Sequence, residues 1–206
     1  MTFPSTALSN RPWAAGGLQP VRRCVLALWL LLPGLPAMAA PGGGGALSYG
    51  PALLPVAATL VLKAGGVESA SSWRRLGVDA VASLALSCGT AYALKRAVRE
   101  RRPDGADRHA FPSGHATLAF AGAAVLDREF RHASPWVSVA GYALAAGVAV
   151  ERVTSRRHRW HDVATGAALG VGGTWLGYWL GDKLTGEHSR WQLHVGVNEL
   201  TLNLEL

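Results

Sequence analysis

Three short polar clusters, each at the end of an apolar segment, hold the residue types in this chain that could carry chemistry. They are KRAVRERRP at 95–103, PSGH at 112–115 and ERVTSRRHRWHD at 151–162. The first cluster, taken alone, is better explained as the basic flank of an apolar helix, whose long cationic side chains reach toward water. What the clusters can do therefore depends on the elements that position them.

The PSGH cluster has the features of a helix N-terminus. Pro112 suits the first helical turn or the position before it, Ser113 is a favoured N-cap, and Gly114 allows close approach of the backbone to another group. A helix N-terminus presents unpaired backbone N–H groups and favours an anion. Taken alone, the cluster also fits a capped helix with an incidental histidine at His115.

The third cluster contains a histidine and an aspartate four residues apart, His158 and Asp162. This spacing predicts that the two side chains share one helix face, so that the carboxylate can hydrogen-bond one ring nitrogen while the other faces outward. Such a pair makes a nucleophile or a general base.

Composition limits the classes of partner. The 206 residues are 50% hydrophobic and only 16% charged, which indicates a membrane protein or a very apolar helical bundle. The net charge of +7 favours anionic partners. Nucleic acid is disfavoured, because the basic residues cluster at 95–108 and 152–159 without interleaved aromatic residues for base stacking. Cys24 and Cys88 lie in apolar runs and are interpreted as small hydrophobic residues.

Five apolar, Ala- and Gly-rich segments are expected to position these clusters. They lie at 46–62, 77–94, 110–126, 134–150 and 163–181. Their length of about 17 to 19 residues is just enough to span a bilayer, and small residues favour close helix packing there. Short links predict antiparallel neighbours. We therefore expect an all-α, membrane-embedded bundle of about five to six helices, with a buried soluble bundle as the alternative.

The chain ends differ from this core. Residues 1–40, in which Arg22 and Arg23 precede an apolar stretch, are interpreted as a signal peptide or a first membrane helix, followed by a flexible Gly42–Gly45 linker. The helical domain is placed at 41–184. In the 185–206 tail, apolar and polar residues alternate in WQLHVGV and LTLNLEL, which predicts a β-hairpin that packs on the bundle or pairs with another copy as a homo-oligomer.

The three clusters together resemble the signature motifs of a known family. The first motif is K-x6-RP, formed by Lys95, Arg102 and Pro103. The second is PSGH, and the third is R-x5-H-x3-D, formed by Arg152, His158 and Asp162. In this order they are similar to the type 2 phosphatidic acid phosphatase superfamily, which includes bacterial acid phosphatases and vanadium haloperoxidases. The resemblance covers about residues 46–183 with the surrounding helices. Glu151 stands where the family usually has Ser, which affects local hydrogen bonding and substrate preference.

The resemblance implies a phosphate-binding set of Lys95, Arg102, Arg152, Ser113 and Gly114. A phosphoryl group in transfer spreads negative charge over its equatorial oxygens, and catalysis is mostly positioning and electrostatic stabilisation. The three cations would provide fixed positive charge. The Ser113 hydroxyl and the Gly114 N–H would provide directed donors at the helix N-terminus.

The resemblance also implies the catalytic roles. His158 attacks phosphorus to give a phosphohistidine, Asp162 orients it, and His115 protonates the leaving alkoxide and then activates water. No cofactor and no metal are expected. The remaining histidines have no motif position, and these are His109, His132, His161, His188 and His194.

The expected function is that of a multi-pass enzyme of a bacterial-type inner membrane that removes phosphate from a lipid phosphate or pyrophosphate. Arg22 and Arg23 would hold the N-terminal flank in the cytoplasm, and antiparallel helices then carry all three clusters to the periplasmic side. The alternatives are a soluble secreted acid phosphatase with the same site, a vanadate-dependent haloperoxidase, and a non-catalytic membrane protein that binds anionic lipid.

Overall fold

The computed structural model describes residues 46–186, 191–195 and 200–204. Within them a 3₁₀ turn at Ala46–Tyr49 precedes five α-helices. These are α1 (Gly50–Ala64), α2 (Trp73–Val98), α3 (Gly114–Phe130), α4 (Pro135–Thr154) and α5 (Trp160–Thr185). The predicted helical bundle is confirmed, and each helix coincides with one predicted apolar segment to within four residues at either end.

Local sequence explains where several of these helices begin. Ser72 caps α2 by accepting from Arg75 N at 3.2 Å, and Ser113 caps α3 by accepting from Ala116 N. Short polar side chains of this kind satisfy amides that have no partner within the helix. At α4, Pro135 is in the first turn, where the missing proline N–H costs nothing.

Helix α3 is the centre of the bundle and contacts each of the other four helices. Most of its residues are buried, and many are as small as Ala119 and Ala123. Small side chains let neighbouring backbones approach closely, so one helix can be surrounded on several sides. The larger Leu126 and Phe130 fill the end of α3 that lies away from its N-terminus, against Leu62 of α1.

Helix α5 packs on α2 through glycines spaced four residues apart. A Cβ added to Gly177 would lie 2.4 Å from Ser83 N, and one added to Gly173 would lie 2.8 Å from Ser87 N. Ser83 Oγ donates to Thr174 O across the same contact at 3.4 Å. This close approach fixes the relative height of α2 and α5, and therefore of the polar clusters at their ends.

Two helices, α2 and α4, are long and apolar enough to cross a membrane. They leave large apolar side chains exposed, among them Val81, Tyr92 and Val139. Two helices of this kind agree with a membrane protein, but a soluble core helix passes the same test of length and composition.

Beyond the helices, strands β1 (Trp191–Val195) and β2 (Leu200–Leu204) pair antiparallel, with Trp191 opposite Leu204. Residues 196–199 between them lie outside the described residues, so the β-hairpin tail and its role in assembly stay predictions. The signal peptide or first membrane helix at 1–40 and the linker at 42–45 also lie outside the described part of the chain.

Candidate active site

The three polar clusters meet at one end of the bundle. This end is formed by the C-termini of α2 and α4 and the N-termini of α3 and α5, as expected for antiparallel neighbours. Ser113 N donates to Asp162 O at 3.0 Å, which joins the second cluster to the third. Lys95 Nζ of the first cluster donates to His109 O at 2.6 Å, in the loop that leads to the second. The motif residues, separated by up to 67 positions in sequence, therefore form one site.

His158 and Asp162 form a buried pair within this site. His158 is 3% exposed and Asp162 is 0% exposed, and His158 Nδ1 lies 3.6 Å from Asp162 Oδ2. The same carboxylate oxygen accepts from Arg159 N at 2.7 Å. His158 lies in the loop before α5 and not on the helix, so the prediction of a shared helix face is wrong. The side chains face each other because the loop turns back onto the first turn of α5.

The surroundings of His158 favour its neutral form. Burial, together with the positive charges of Arg102 and Lys95, lowers the pKa of the His158 imidazole to about 3. A backbone hydrogen bond at Ala110 acts in the opposite direction. The backbone N–H of His158 donates to Arg152 O at 3.1 Å, which holds the loop on the end of α4. The imidazole is therefore uncharged at neutral pH and carries a lone pair, as a nucleophile requires.

Lys95 and Arg102 are each held by one neighbour. Lys95 Nζ donates to the His109 carbonyl, and Arg102 Nε donates to Asp107 Oδ1 at 2.9 Å. The Arg102 N–H also donates to Asp107 O at 3.0 Å, so both the backbone and the side chain fix the arginine. An ammonium has three donors and a guanidinium has five, so both groups keep N–H donors for an anion.

Arg152 lies in the last turn of α4, and its Nε contacts Glu151 Oε2. Glu151 is the residue that departs from the family pattern, and the structure pairs it with a predicted phosphate ligand. Arg152 also lies close enough to His115 to act on it electrostatically. The carboxylate of Glu151 thus competes with any bound phosphate for one face of this guanidinium.

The N-terminus of α3 supplies the directed donors. Ser113 is fully buried, and its Oγ accepts from Ala116 N at 3.4 Å, so its hydroxyl proton remains available to donate. Gly114 begins the helix, and its backbone N–H has no partner within the helix. The structure therefore brings the predicted phosphate-binding donors and cations to the same end of the bundle as His158.

His115 is positioned by two residues that the sequence reasoning missed. Its Nε2 lies 3.3 Å from Ser48 Oγ, and its ring stacks on Tyr49 with centroids 3.9 Å apart and planes at 6°. Both belong to the 3₁₀ turn before α1. Antiparallel packing predicts that the start of α1 lies at the site end, and this could have pointed to the residues just before it. Ser48 and Tyr49 belong to no recognisable motif, so their types gave no further indication.

Glu100, Arg159 and His161 connect the loops at the rim of the site, and sequence reasoning missed this cluster as well. Arg159 Nη1 contacts Glu100 Oε1, and His161 Nε2 lies 3.1 Å and 3.3 Å from the two Glu100 oxygens. Together with Asp162, Glu100 and His161 offer ligand atoms that all lie within 4.8 Å of one another. Glu100 and His161 are 61 positions apart, so no local spacing indicated this group.

A sequence profile of the PAP2 superfamily matches residues 76–185, from the start of α2 to the end of α5. The match includes the three motif clusters. The chain belongs to the PAP2 superfamily. The resemblance inferred from the motifs is therefore confirmed, while the role of each site residue stays a prediction.

One relative of this PAP2-superfamily chain is the lipid A 1-phosphatase of Porphyromonas gingivalis, which is 38% identical over 133 residues. The match covers 64% of this chain but 30% of the relative, so the chain spans less than a third of that protein's length. The crystal structure of Aquifex aeolicus LpxE is similar with a TM-score of 0.47 and 16% identity, and the match covers 82% of this chain and 87% of that one. Membership in the family rests on the profile match.

Proposed function

We propose that this chain is a membrane phosphatase that hydrolyses a lipid phosphate or pyrophosphate through a phosphohistidine on His158. The observation that carries the proposal is the buried pair of His158 and Asp162, which lies beside cationic side chains and a helix N-terminus. Phosphoryl transfer needs an in-line nucleophile and fixed positive charge around the equatorial oxygens. This end of the bundle offers both.

Substrate binding uses the groups that keep unused donors. Lys95, Arg102 and Arg152 pair with the phosphate oxygens, while the Ser113 hydroxyl and the Gly114 N–H donate along the axis of α3. The partners of Lys95 and Arg102 hold these two groups in place before substrate arrives, so little reorganisation is needed in the transition state. Three cations replace the charge that a divalent ion provides in other phosphatases.

In the first chemical step, the Nε2 lone pair of His158 attacks phosphorus and the bond to the lipid oxygen breaks. His158 becomes positively charged, and its Nδ1–H donates to Asp162. The distance from His158 Nδ1 to Asp162 Oδ2, which is 3.6 Å without substrate, shortens as the charge develops. His115 gives a proton to the leaving alkoxide. The negative charge of the bound phosphate favours the protonated form of His115.

In the second step, His115 takes a proton from water, and the resulting hydroxide attacks the phosphohistidine. The P–N bond breaks, its electron pair returns to His158 Nε2, and inorganic phosphate leaves. The stack of His115 on Tyr49 and its contact with Ser48 keep the ring in one orientation through both steps.

Exposed aromatic residues support a bilayer setting over a secreted soluble enzyme. Trp73 and Tyr92 lie 19 residues apart on α2, and Trp160 and Trp179 lie 19 residues apart on α5. All four are more than half exposed. At 1.5 Å per residue each pair spans about 28 Å, close to the thickness of about 30 Å of a hydrocarbon core. Aromatic belts of this spacing are typical of the two membrane interfaces.

The proposed orientation has the active site facing the periplasm, and cysteine labelling tests it. In a background without Cys24 and Cys88, single cysteines replace Ala106 at the site end and Arg131 at the other end, both exposed. An impermeant thiol reagent applied to intact cells should label position 106 and not 131. The reverse pattern would invert the orientation, and recovery of the protein without detergent would favour the soluble acid phosphatase.

The function itself is tested by phosphate release from four lipids: phosphatidic acid, phosphatidylglycerol phosphate, a polyprenyl pyrophosphate and lipid A. The similarity to a lipid A 1-phosphatase makes lipid A the first substrate to test. We expect turnover in excess chelator and inhibition by vanadate, a phosphate mimic. Release that needs added magnesium would contradict the mechanism, and binding of all four lipids without release would favour a non-catalytic lipid-binding protein.

A further inference from the structure

We propose that Glu100, His161 and Asp162 form a site for one divalent transition-metal ion such as Zn²⁺ at the rim of the catalytic site. His161 Nε2 lies 3.1 Å from Glu100 Oε1, 3.3 Å from Glu100 Oε2 and 3.2 Å from Asp162 Oδ1. The ligand atoms of the three residues lie within 4.8 Å of one another. One imidazole nitrogen and two carboxylate oxygens are a donor set that Zn²⁺ accepts.

The two distances from His161 to the carboxylates fit a tetrahedral metal centre. With metal–ligand bonds of about 2.0 to 2.2 Å, two ligands of a tetrahedral Zn²⁺ lie about 3.4 Å apart. The distances from His161 Nε2 to the two carboxylates are within a few tenths of an ångström of that value. Three protein ligands leave the fourth position for water, which reaches the site because the His161 side chain is 55% exposed.

A second observation points to a cation at this position. Asp162 is fully buried, and its Oδ1 has no hydrogen-bond partner among the residues of the described structure. The other oxygen, Oδ2, accepts from Arg159 N and lies 3.6 Å from His158 Nδ1. A buried carboxylate oxygen that faces an imidazole nitrogen at 3.2 Å needs a proton or a metal ion between the two atoms.

Glu100 can bind a metal ion and keep its ion pair with Arg159. Arg159 Nη1 contacts Glu100 Oε1, which leaves Oε2 directed at His161. Coordination through Oε2 therefore keeps the link between the two loops. The positive charge of Arg159 weakens binding of the ion, so the site suits a reversible regulator more than a permanently bound structural metal.

Occupation of this site inhibits the enzyme, an inference that rests on the proposed function. A metal ion on Asp162 Oδ1 withdraws negative charge from the carboxylate that supports the imidazolium form of His158. The transition state loses part of this support, whereas binding of the substrate phosphate by Lys95 and Arg102 does not depend on it. Added Zn²⁺ should therefore lower kcat more than it raises KM.

The binding test uses the purified full-length chain in detergent, titrated with Zn²⁺ by calorimetry and with Co²⁺ by its visible absorption. We expect one ion per chain and the spectrum of a four-coordinate Co²⁺ ion. Replacement of one ligand in His161→Ala or Glu100→Gln should weaken binding by about tenfold or more. The matched control is His109→Ala, which removes another exposed histidine from the same end of the bundle. Unchanged binding in His161→Ala, or equal loss in His109→Ala, would overturn the site.

The activity test adds Zn²⁺ to phosphate-release assays of the same proteins. We expect Zn²⁺ to inhibit the wild type and His109→Ala, and His161→Ala to need about tenfold more Zn²⁺ for the same inhibition. Binding that depends on His161 with no inhibition would overturn the regulatory role and leave the site. If the wild type releases no phosphate from any lipid, the proposed function fails, while the binding test still decides the metal site.

Discussion

The two ends of the bundle both bury charged side chains, but they differ in how the charges are paired. At the end away from the site, Glu129 is fully buried and its carboxylate is shared among three donors. It accepts from Tyr178 OH at 2.8 Å, from Ser71 Oγ at 2.7 Å and from Ser71 N at 3.1 Å. These bonds tie α3, α5 and the loop before α2 together.

Arg75 shows the same use of charge at that end. It is buried between two carboxylates, Asp79 at 3.2 Å on its own helix and Asp182 on α5. Buried charges are tolerated when they are paired and hydrogen-bonded. This arrangement joins α2 to α5 and leaves little capacity for a ligand.

At the site end, the cations have partners that occupy only part of their donor capacity. Lys95 is held by a carbonyl, which does not neutralise it, and Arg102 and Arg152 each use Nε for one carboxylate. The same residue types thus hold the fold at one end and remain available to an anion at the other. The comparison predicts that substitutions at the two ends separate activity from stability.

The largest effect should come from His158→Ala. Removal of the nucleophile should lower kcat by at least about a thousandfold and leave the melting temperature near that of the wild type. Rapid acid quenching with ³²P-labelled substrate should trap phosphoprotein in the wild type and none in the variant. The control is His109→Ala, and equal labelling of His158→Ala would contradict the assignment of the nucleophile.

Asp162→Asn should have a smaller effect on the same step. The amide can still accept from Arg159 N at the start of α5, but it has no charge to support the His158 imidazolium. We expect kcat to fall about 100-fold with residual turnover. A loss equal to that of His158→Ala, with an unchanged circular dichroism spectrum, would show that Asp162 does more than orient the histidine.

Glu129→Ala tests the opposite end. It leaves the Tyr178 hydroxyl and the Ser71 donors without their acceptor in a buried setting, so the free energy of unfolding should fall by about 3 kcal/mol. Thermal denaturation in detergent measures this loss. The kcat of the folded fraction should remain within about twofold of wild type at low temperature. A drop in kcat comparable to that of Asp162→Asn would break the separation between the two ends.

The smallest effect is expected for Glu151→Gln. Loss of the carboxylate on Arg152 Nε makes more of this guanidinium available to the substrate, so KM should fall about two- to fivefold with kcat unchanged. The matched control is Glu68→Gln, an exposed acidic residue away from the site. A higher KM in Glu151→Gln would mean that the carboxylate positions Arg152 and does not compete with phosphate.

Much of the fold and of the site followed from local sequence. The five apolar segments predicted the five helices, and Ser113 was recognised as an N-cap because capping depends on residues within one turn. The order and spacing of the three motifs predicted a common site and a family, and the profile match confirmed the family. The prediction that His158 and Asp162 share one helix face was wrong, because spacing alone does not tell whether α5 begins before or after His158.

Residue types and short spacings were enough to predict which groups bind phosphate, accept a proton or cap a helix, because these properties depend on a few neighbouring residues. The distant residues that contact these groups became visible only in the folded bundle. Ser48 lies 67 positions from His115, and Glu100 lies 61 positions from His161. Such contacts depend on the heights at which helices pack, and here the close glycine contacts of α5 with α2 set one of those heights. Which residues of α2 those glycines meet depends on packing across the bundle, and the spacing of residues within one helix does not reveal it.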